Sequence, residues 1–340
     1  MTAPNTKSLW REVSLPSFPR LEAAPEVDVV IIGGGVTGLT AAYFALLAGK
    51  RVCLLERDRL GRGDTGNTTA HLTGVTDQRL RSLVRTFGEA GASLAWYSGF
   101  YAIEAIEEIV TTEGIDCDFQ RVEAYLHESL IGEGDDRQDL EEEVRLAQKL
   151  GFELELVERC PIVDKVGIRF PQQGLFHPYK YLRGLSEAIT RRGGLIFEHS
   201  EVHKIEDEPL TVEVNDQRIA CERVMIATHV PIQGKTPTTS ALLRQTKLIP
   251  RSSYVLSGKM PRGTLPSVSL FDTSDPYFYL RSESREDHDL VIFGGADHKT
   301  GQEVDTKKQY EQLESTLRSI LPQIVIDHHW SGQVIETTDG

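Results

Sequence analysis

Three glycines and one acid are the residues of this chain best placed to do chemistry. Gly33, Gly35 and Gly38 follow the apolar run Asp28-Val-Val-Ile-Ile in the spacing G-x-G-x-x-G, and Glu56 closes a second apolar run, Arg51-Val-Cys-Leu-Leu. A strand that turns on glycines into a helix brings free backbone N–H groups and the positive helix end to one point, which suits a pyrophosphate. Gly33 permits the sharp turn, Gly35 lets the phosphates approach the backbone, and Gly38 lets the helix lie close on the strand. A carboxylate at the end of the second strand accepts hydrogen bonds from both ribose hydroxyls and repels a 2′-phosphate. The pattern therefore predicts a dinucleotide site and disfavours NADP.

The elements that must position these residues follow from the pattern around them. The helix begins near Val36, runs through Leu39–Ala48 and stops at Gly49. Residues 57–77 read as a polar loop rich in Gly and Thr. Helical spacing covers Gln78–Glu113, Asp135–Leu150, Tyr179–Arg192 and Lys307–Ile320. Strands are predicted at Cys117–His127, Leu195–Glu198, Val202–Ile205, Thr211–Val214, Val224–Ala227, Ser252–Leu256, Tyr277–Arg281 and Leu290–Phe293. His177 reads as a helix-entry residue. Residues 1–26, with Pro16, Pro19 and Pro25, read as an extended lead-in.

Composition narrows the function classes. The chain has 340 residues, enough for one large or two moderate domains, with 39% hydrophobic and 26% charged residues. Its net charge of −14 argues against non-specific binding to nucleic acid or to an anionic membrane. No apolar run reaches membrane-span length, and the N-terminus has no basic-then-apolar signal pattern. Cys53, Cys117, Cys160 and Cys221 are widely spaced and read as free thiols in a reducing cytoplasm. His328-His329 and Asp297-His298 lack metal-ligand spacing, so no metal is expected. Gly234-Lys-Thr236 is rejected as a phosphate loop because His229 stands where its first glycine must be. Glu141-Glu-Glu143 reads as a solvated helix face.

Several segments together resemble the D-amino-acid oxidase and glycine oxidase family of FAD-dependent oxidoreductases. They are the glycine turn with Glu56, Gly63-Asp-Thr-Gly-Asn-Thr-Thr-Ala-His71, His177-Pro-Tyr-Lys-Tyr-Leu-Arg, Glu201-Val202, Ile226-Ala-Thr-His229 and Trp330-Ser-Gly with Thr338-Asp-Gly340. The stretches Asp64–Leu72 and Gly294-Gly-Ala-Asp-His-Lys-Thr-Gly301 are similar to a bacterial branch whose members often carry a C-terminal Rieske iron–sulfur domain. No Rieske pattern is present in this sequence.

The resemblance implies FAD as cofactor and assigns roles by position. Gly33, Gly35, Val36, Thr37 and Gly38 would hold the pyrophosphate, Glu56 the adenosine ribose, and Arg57 would flank the adenine. Thr65, Gly66, Asn67, Thr68 and Thr69 would serve the phosphates and the flavin edge. The Val202 backbone would read adenine, and Ala227 and Thr228 would line the adenosine. His71 stands near a position where some related dehydrogenases bond the flavin covalently, against the plainer reading of an ordinary core or surface histidine. Tyr277, Tyr279 and Arg281 alternate on one strand and so share a face. That face is expected to line the substrate pocket, with Arg281 an anion anchor; the alternative is an aromatic core face with an arginine at its rim.

The chain departs from the family pattern in two places. Where amino-acid oxidases of this type carry a carboxylate-gripping arginine, it has Gln333-Val-Ile335, so that grip is missing. It also ends at Gly340 inside a segment that normally leads into a last helix, so the C-terminal part of the FAD domain reads as missing.

The expected architecture is α/β: a discontinuous, Rossmann-like FAD-binding domain (27–86 and 165–230, with 326–340 returning to it) interleaved with an α+β mixed-sheet substrate domain (87–164 and 231–325). The expected function is oxidation of an amine or similar small polar substrate by hydride transfer to the flavin. Electrons would pass to oxygen or to an iron–sulfur partner. The rival readings are an NAD-linked dehydrogenase and a cofactor-free fragment or scaffold that keeps the fold.

Overall fold

The computed structural model describes residues 5–131, 136–229, 248–302 and 306–337. The expectations for residues 230–247, including Gly234–Thr236, and for Asp135 and Thr338–Gly340 lie outside them. In chain order the first elements are β1 (Val29–Ile32), α1 (Val36–Leu47), β2 (Val52–Leu55), β3 (His71–Leu72), α2 (Leu80–Glu113) and β4 (Gln120–His127). Then come α3 (Arg137–Lys149), β5 (Glu155–Val157), β6 (Gly167–Leu175), α4 (Pro178–Arg191), β7 (Leu195–Phe197), β8 (Val202–Asp207), β9 (Leu210–Val214), β10 (Gln217–Ala220) and β11 (Arg223–Ile226). The last are β12 (Leu248–Pro261), β13 (Val268–Asp272), β14 (Tyr279–Ser284), β15 (His288–Lys299), α5 (Thr306–Ile320) and β16 (Val325–Thr337).

β1 and β2 are apolar at every position because both faces of their sheet are covered. The sheet is parallel, in the order β11-β1-β2-β7. Val29, Ile31, Val52 and Leu54 point to α1 and α4, where they meet Leu39, Ala42, Leu182 and Ile189. Val30, Ile32, Cys53 and Leu55 point the other way, onto Val202, Val212, Val214 and Ile219 of the antiparallel sheet β10-β9-β8. The alternation of side chains along a strand sorts the two layers.

The remaining strands form one sheet in the order β16-β12-β15-β14-β13-β4-β6-β3, with β5 on β6. α5 covers one face of it through Leu313 and Leu317. The sheet departs from the domain boundaries expected from sequence at three places. β3 and β4 pair with β6, and β16 pairs with β12 along its length, so β3, β6 and β16 belong to the large sheet and not to the nucleotide unit.

The expected helix Gln78–Glu113 is broken at Gly88, whose φ of 73° and ψ of 170° are not helical. No side chain of its own caps the start of α2; Glu143 of α3 accepts the Leu80 N–H instead, at 2.5 Å. Glu143 is therefore buried and structural, not on a solvated face. His177 N-caps α4, its Nδ1 accepting from Lys180 N at 3.3 Å. Among the described residues no helix is long and apolar enough to cross a membrane.

Candidate functional site

The carboxyl ends of β1, β2, β7 and β11 converge on the glycine turn. Gly33 leaves β1 with a φ of +112°, and a Cβ there would lie 2.3 Å from the Ala227 carbonyl oxygen. Gly38 sits so close to β1 that a Cβ would reach within 1.9 Å of the Gly33 carbonyl oxygen. Only glycine fits at either position. Gly35 N-caps α1, and Thr65 Oγ1 accepts the Val36 N–H at 3.2 Å, drawing the 57–77 loop over the helix start. Thr37 and Gly38 occupy the first turn, whose N–H groups have no intrahelical acceptor.

Glu56 stands at the end of β2. Its carboxylate accepts the Gly34 N–H at 2.7 Å and the Asp58 N–H at 2.8 Å, and each oxygen keeps a second lone pair for a ribose hydroxyl. Arg57 is exposed, 3.9 Å from Glu201. Val202 is buried at the start of β8. Ala227 donates its N–H to Ile32 O at 2.8 Å, and Thr228 follows it. These residues gather at one end of the parallel sheet.

The loop residues Gly66–Ala70 are held in an unusual way. Every carbonyl in that stretch accepts from a side chain outside it. Ser8 Oγ donates to Gly66 O (2.5 Å), Trp330 Nε1 to Asn67 O (2.8 Å) and Trp10 Nε1 to Thr68 O (2.6 Å). The Arg281 guanidinium donates to Thr69 O (3.1 Å) and Ala70 O (2.8 Å). With the carbonyls committed on one side, the N–H groups of Thr68 and Thr69 are left without an acceptor among the described residues. That is a preorganised donor set for an anionic or carbonyl-bearing ligand.

A cavity of about 630 Å³ opens beside this loop. Val36, Thr65, Asn67, Thr68, Thr69 and His71 form one wall; Ser253, Tyr277, Tyr279 and Asp297 stand on another. Gly294, opposite Tyr279 in the ladder, makes room for the ring, since a Cβ would lie 2.3 Å from it. Tyr279 OH bonds Ser253 Oγ at 2.7 Å, and the Tyr277 and Tyr279 rings stand 5.8 Å apart. Burial pushes both phenols well above their usual range, so both stay protonated. His71 bonds Ser269 Oγ through Nδ1 at 3.0 Å, while its Nε2 is buried without a partner among the described residues. Burial, then the Arg281 charge, lowers its pKa to about 3, so the imidazole is neutral.

Arg281 does not line the cavity. Strand alternation does put it on the side of Tyr279, but its side chain is fully buried, ion-paired with Glu283 and stacked 5.4 Å over the Trp10 ring. The expected anion anchor is a brace beneath the loop.

These features match a known family along nearly the whole chain. A family model described as FAD dependent oxidoreductase matches residues 28–340. The chain belongs to that family of FAD-dependent oxidoreductases. The Bacillus subtilis (strain 168) protein YhfW, named as a Rieske 2Fe-2S iron-sulfur protein, is 32% identical over 345 residues, covering 99% of this chain. The chain spans 65% of that relative's length. Gamma-glutamylputrescine oxidoreductase of Escherichia coli (strain K12) is 24% identical, over 94% of this chain and 76% of its own. Glycine oxidase from Geobacillus kaustophilus shares the fold, with a TM-score of 0.74 at 17% identity over 93% of this chain and 84% of that one. FAD is the cofactor of this flavoenzyme family, and the glycine turn, the helix start and the loop donors suit its pyrophosphate and ring edge.

Sequence reasoning missed the residues that hold the loop. Ser8 and Trp10 lie in the segment read as a mere lead-in, yet Trp10 is fully buried. A lone tryptophan in a proline-bordered stretch was the available signal.

Proposed function

We propose that this chain holds FAD across the end of the parallel sheet and the Thr65–His71 wall. There it oxidises an amine or similar small polar substrate in the adjoining cavity. When bound, the flavin would supply two-electron oxidation of the amine, with oxygen or an iron–sulfur partner as the final electron acceptor. The chain's own residues orient and enclose the substrate. Tyr277 and Tyr279 offer aromatic faces and neutral hydroxyls, and His71 offers a neutral ring nitrogen.

The observation that carries this reading is the set of five outward-turned carbonyls of Gly66–Ala70, which leaves donors facing a cavity walled by tyrosines. A cytoplasmic setting suits the four free cysteines. The test is the visible spectrum of purified protein with added FAD, then its anaerobic bleaching by a panel of amines and amino acids. A bound flavin bleached by amines supports the proposal. A protein that neither binds FAD nor gains thermal stability from it would be a scaffold, and the reading would fail.

A further inference from the structure

Five carboxylates line the cavity: Asp64, Asp77, Glu143, Asp272 and Asp297. Three of them serve the fold. Asp64 accepts the Gln333 N–H and pairs with His229. Glu143 caps α2. Asp272 accepts backbone N–H groups of Leu130 and Phe278. The other two are differently placed. Asp77, on the solvent-exposed side, takes only a long 3.4 Å bond from Tyr277 OH. Asp297 is half-buried, and its Oδ1 is shut off from solvent with no hydrogen-bond partner among the described residues.

A buried carboxylate oxygen without a donor is costly, and so calls for a ligand that brings one. Burial raises the Asp297 pKa, and the Asp77 and Glu336 carboxylates raise it further, while the Ser253 hydroxyl and Arg251 act the other way. Arg251 is engaged by Glu336 at 2.6 Å, so its charge is already matched. Among the described residues the one arginine on the cavity wall, Arg79, interacts with Glu143, Asp136 and Asp139 at the other end. Around Asp77 and Asp297 the balance is negative, and the aromatic rings of Tyr277 and Tyr279 line the same cavity, where a ring face attracts a cation.

We infer that Asp77, Asp297, Tyr277 and Tyr279 form a subsite for a second, protonated nitrogen of the substrate, so that the substrate class is a diamine. This rests on the reading of the cavity as the place of amine oxidation. The nitrogen next to the oxidised carbon must be neutral to lose hydride, so the anchored ammonium is a separate group at the far end of the molecule. Asp297 Oδ1 accepts its N–H, Asp77 balances its charge, and the tyrosine rings flank it.

The experiment compares linear diamines with n-alkylamines of equal length as anaerobic reductants of the FAD-loaded protein, with glycine as a third reductant. The apparent dissociation constant should be about 10- to 100-fold lower for a diamine than for its monoamine partner, the worth of a hydrogen bond to a charged group. Asp297→Asn and Asp77→Asn should shrink that ratio, in protein that still shows the bound-flavin spectrum and an unshifted melting temperature. Equal constants for diamine and monoamine in the unaltered protein overturn the subsite whatever the variants do. A flavin bleached by monoamines or glycine without diamine preference keeps amine oxidation and removes only this inference. A bound flavin that no amine bleaches removes both.

Discussion

At the residue scale Arg281 is the clearest case of a side chain whose chemistry is set by burial. Its guanidinium reaches Thr69 O, Ala70 O and Phe176 O and pairs with the buried Glu283, which Arg285 also holds. Arg281→Met should cost about 3 kcal/mol of stability, toward the low end for breaking a buried pair because Arg285 remains. It should also weaken FAD binding through the loop. Urea unfolding and FAD titration check this; unchanged stability with only a raised Michaelis constant would restore the anchor role. The glycines and Glu56 were legible in sequence because a positive φ and a helix lying on a carbonyl admit one residue type. Asp77 and Asp297 were not, because they are 220 positions apart and meet only when the large sheet closes over the loop. Strand alternation put Arg281 on the correct face, but spacing cannot say what covers that face.

At the scale of elements, the Thr65–His71 loop takes its shape from donors supplied by the lead-in, β14 and β16. Trp330→Phe keeps the ring's bulk but leaves Asn67 O unpaired. This should cost about 1–2 kcal/mol, or roughly 5- to 30-fold in the FAD dissociation constant. Fluorescence titration of FAD reads it, and an unchanged constant would mean that the loop holds its own conformation. Most strands and helices were legible, because β1 and β2 are uniformly apolar and the helices carry a 3.6 period. β3, β5, β6, β10, β13 and β16 were not. β6 has Pro171 and two glycines, and β16 carries Asp327, His328 and His329, so neither looks like a strand until its neighbours supply the ladder.

For the whole molecule, buried histidines tie stability to pH. Burial lowers His71 to about 3 and His177 to about 4. The unfolded chain protonates both near about 6.5, so it binds more protons than the folded chain between those values. Their contribution is complete above about 6.5 and is lost as pH falls toward 4 and 3. Melting temperatures recorded from neutral pH to about 4 should therefore fall more steeply for the unaltered protein than for His71→Gln. Equal slopes would show that His71 takes up its proton in the folded state.

The two tryptophans that fasten the loop, Trp10 and Trp330, lie 320 positions apart in the sequence. During synthesis the glycine turn leaves the ribosome well before the strand that brings Trp330. A nascent chain can fold its parallel sheet only after β11 emerges, and it can fix the loop only later still. The full set of side-chain donors to the loop thus exists only once β16 has been made, however early the glycine turn has formed.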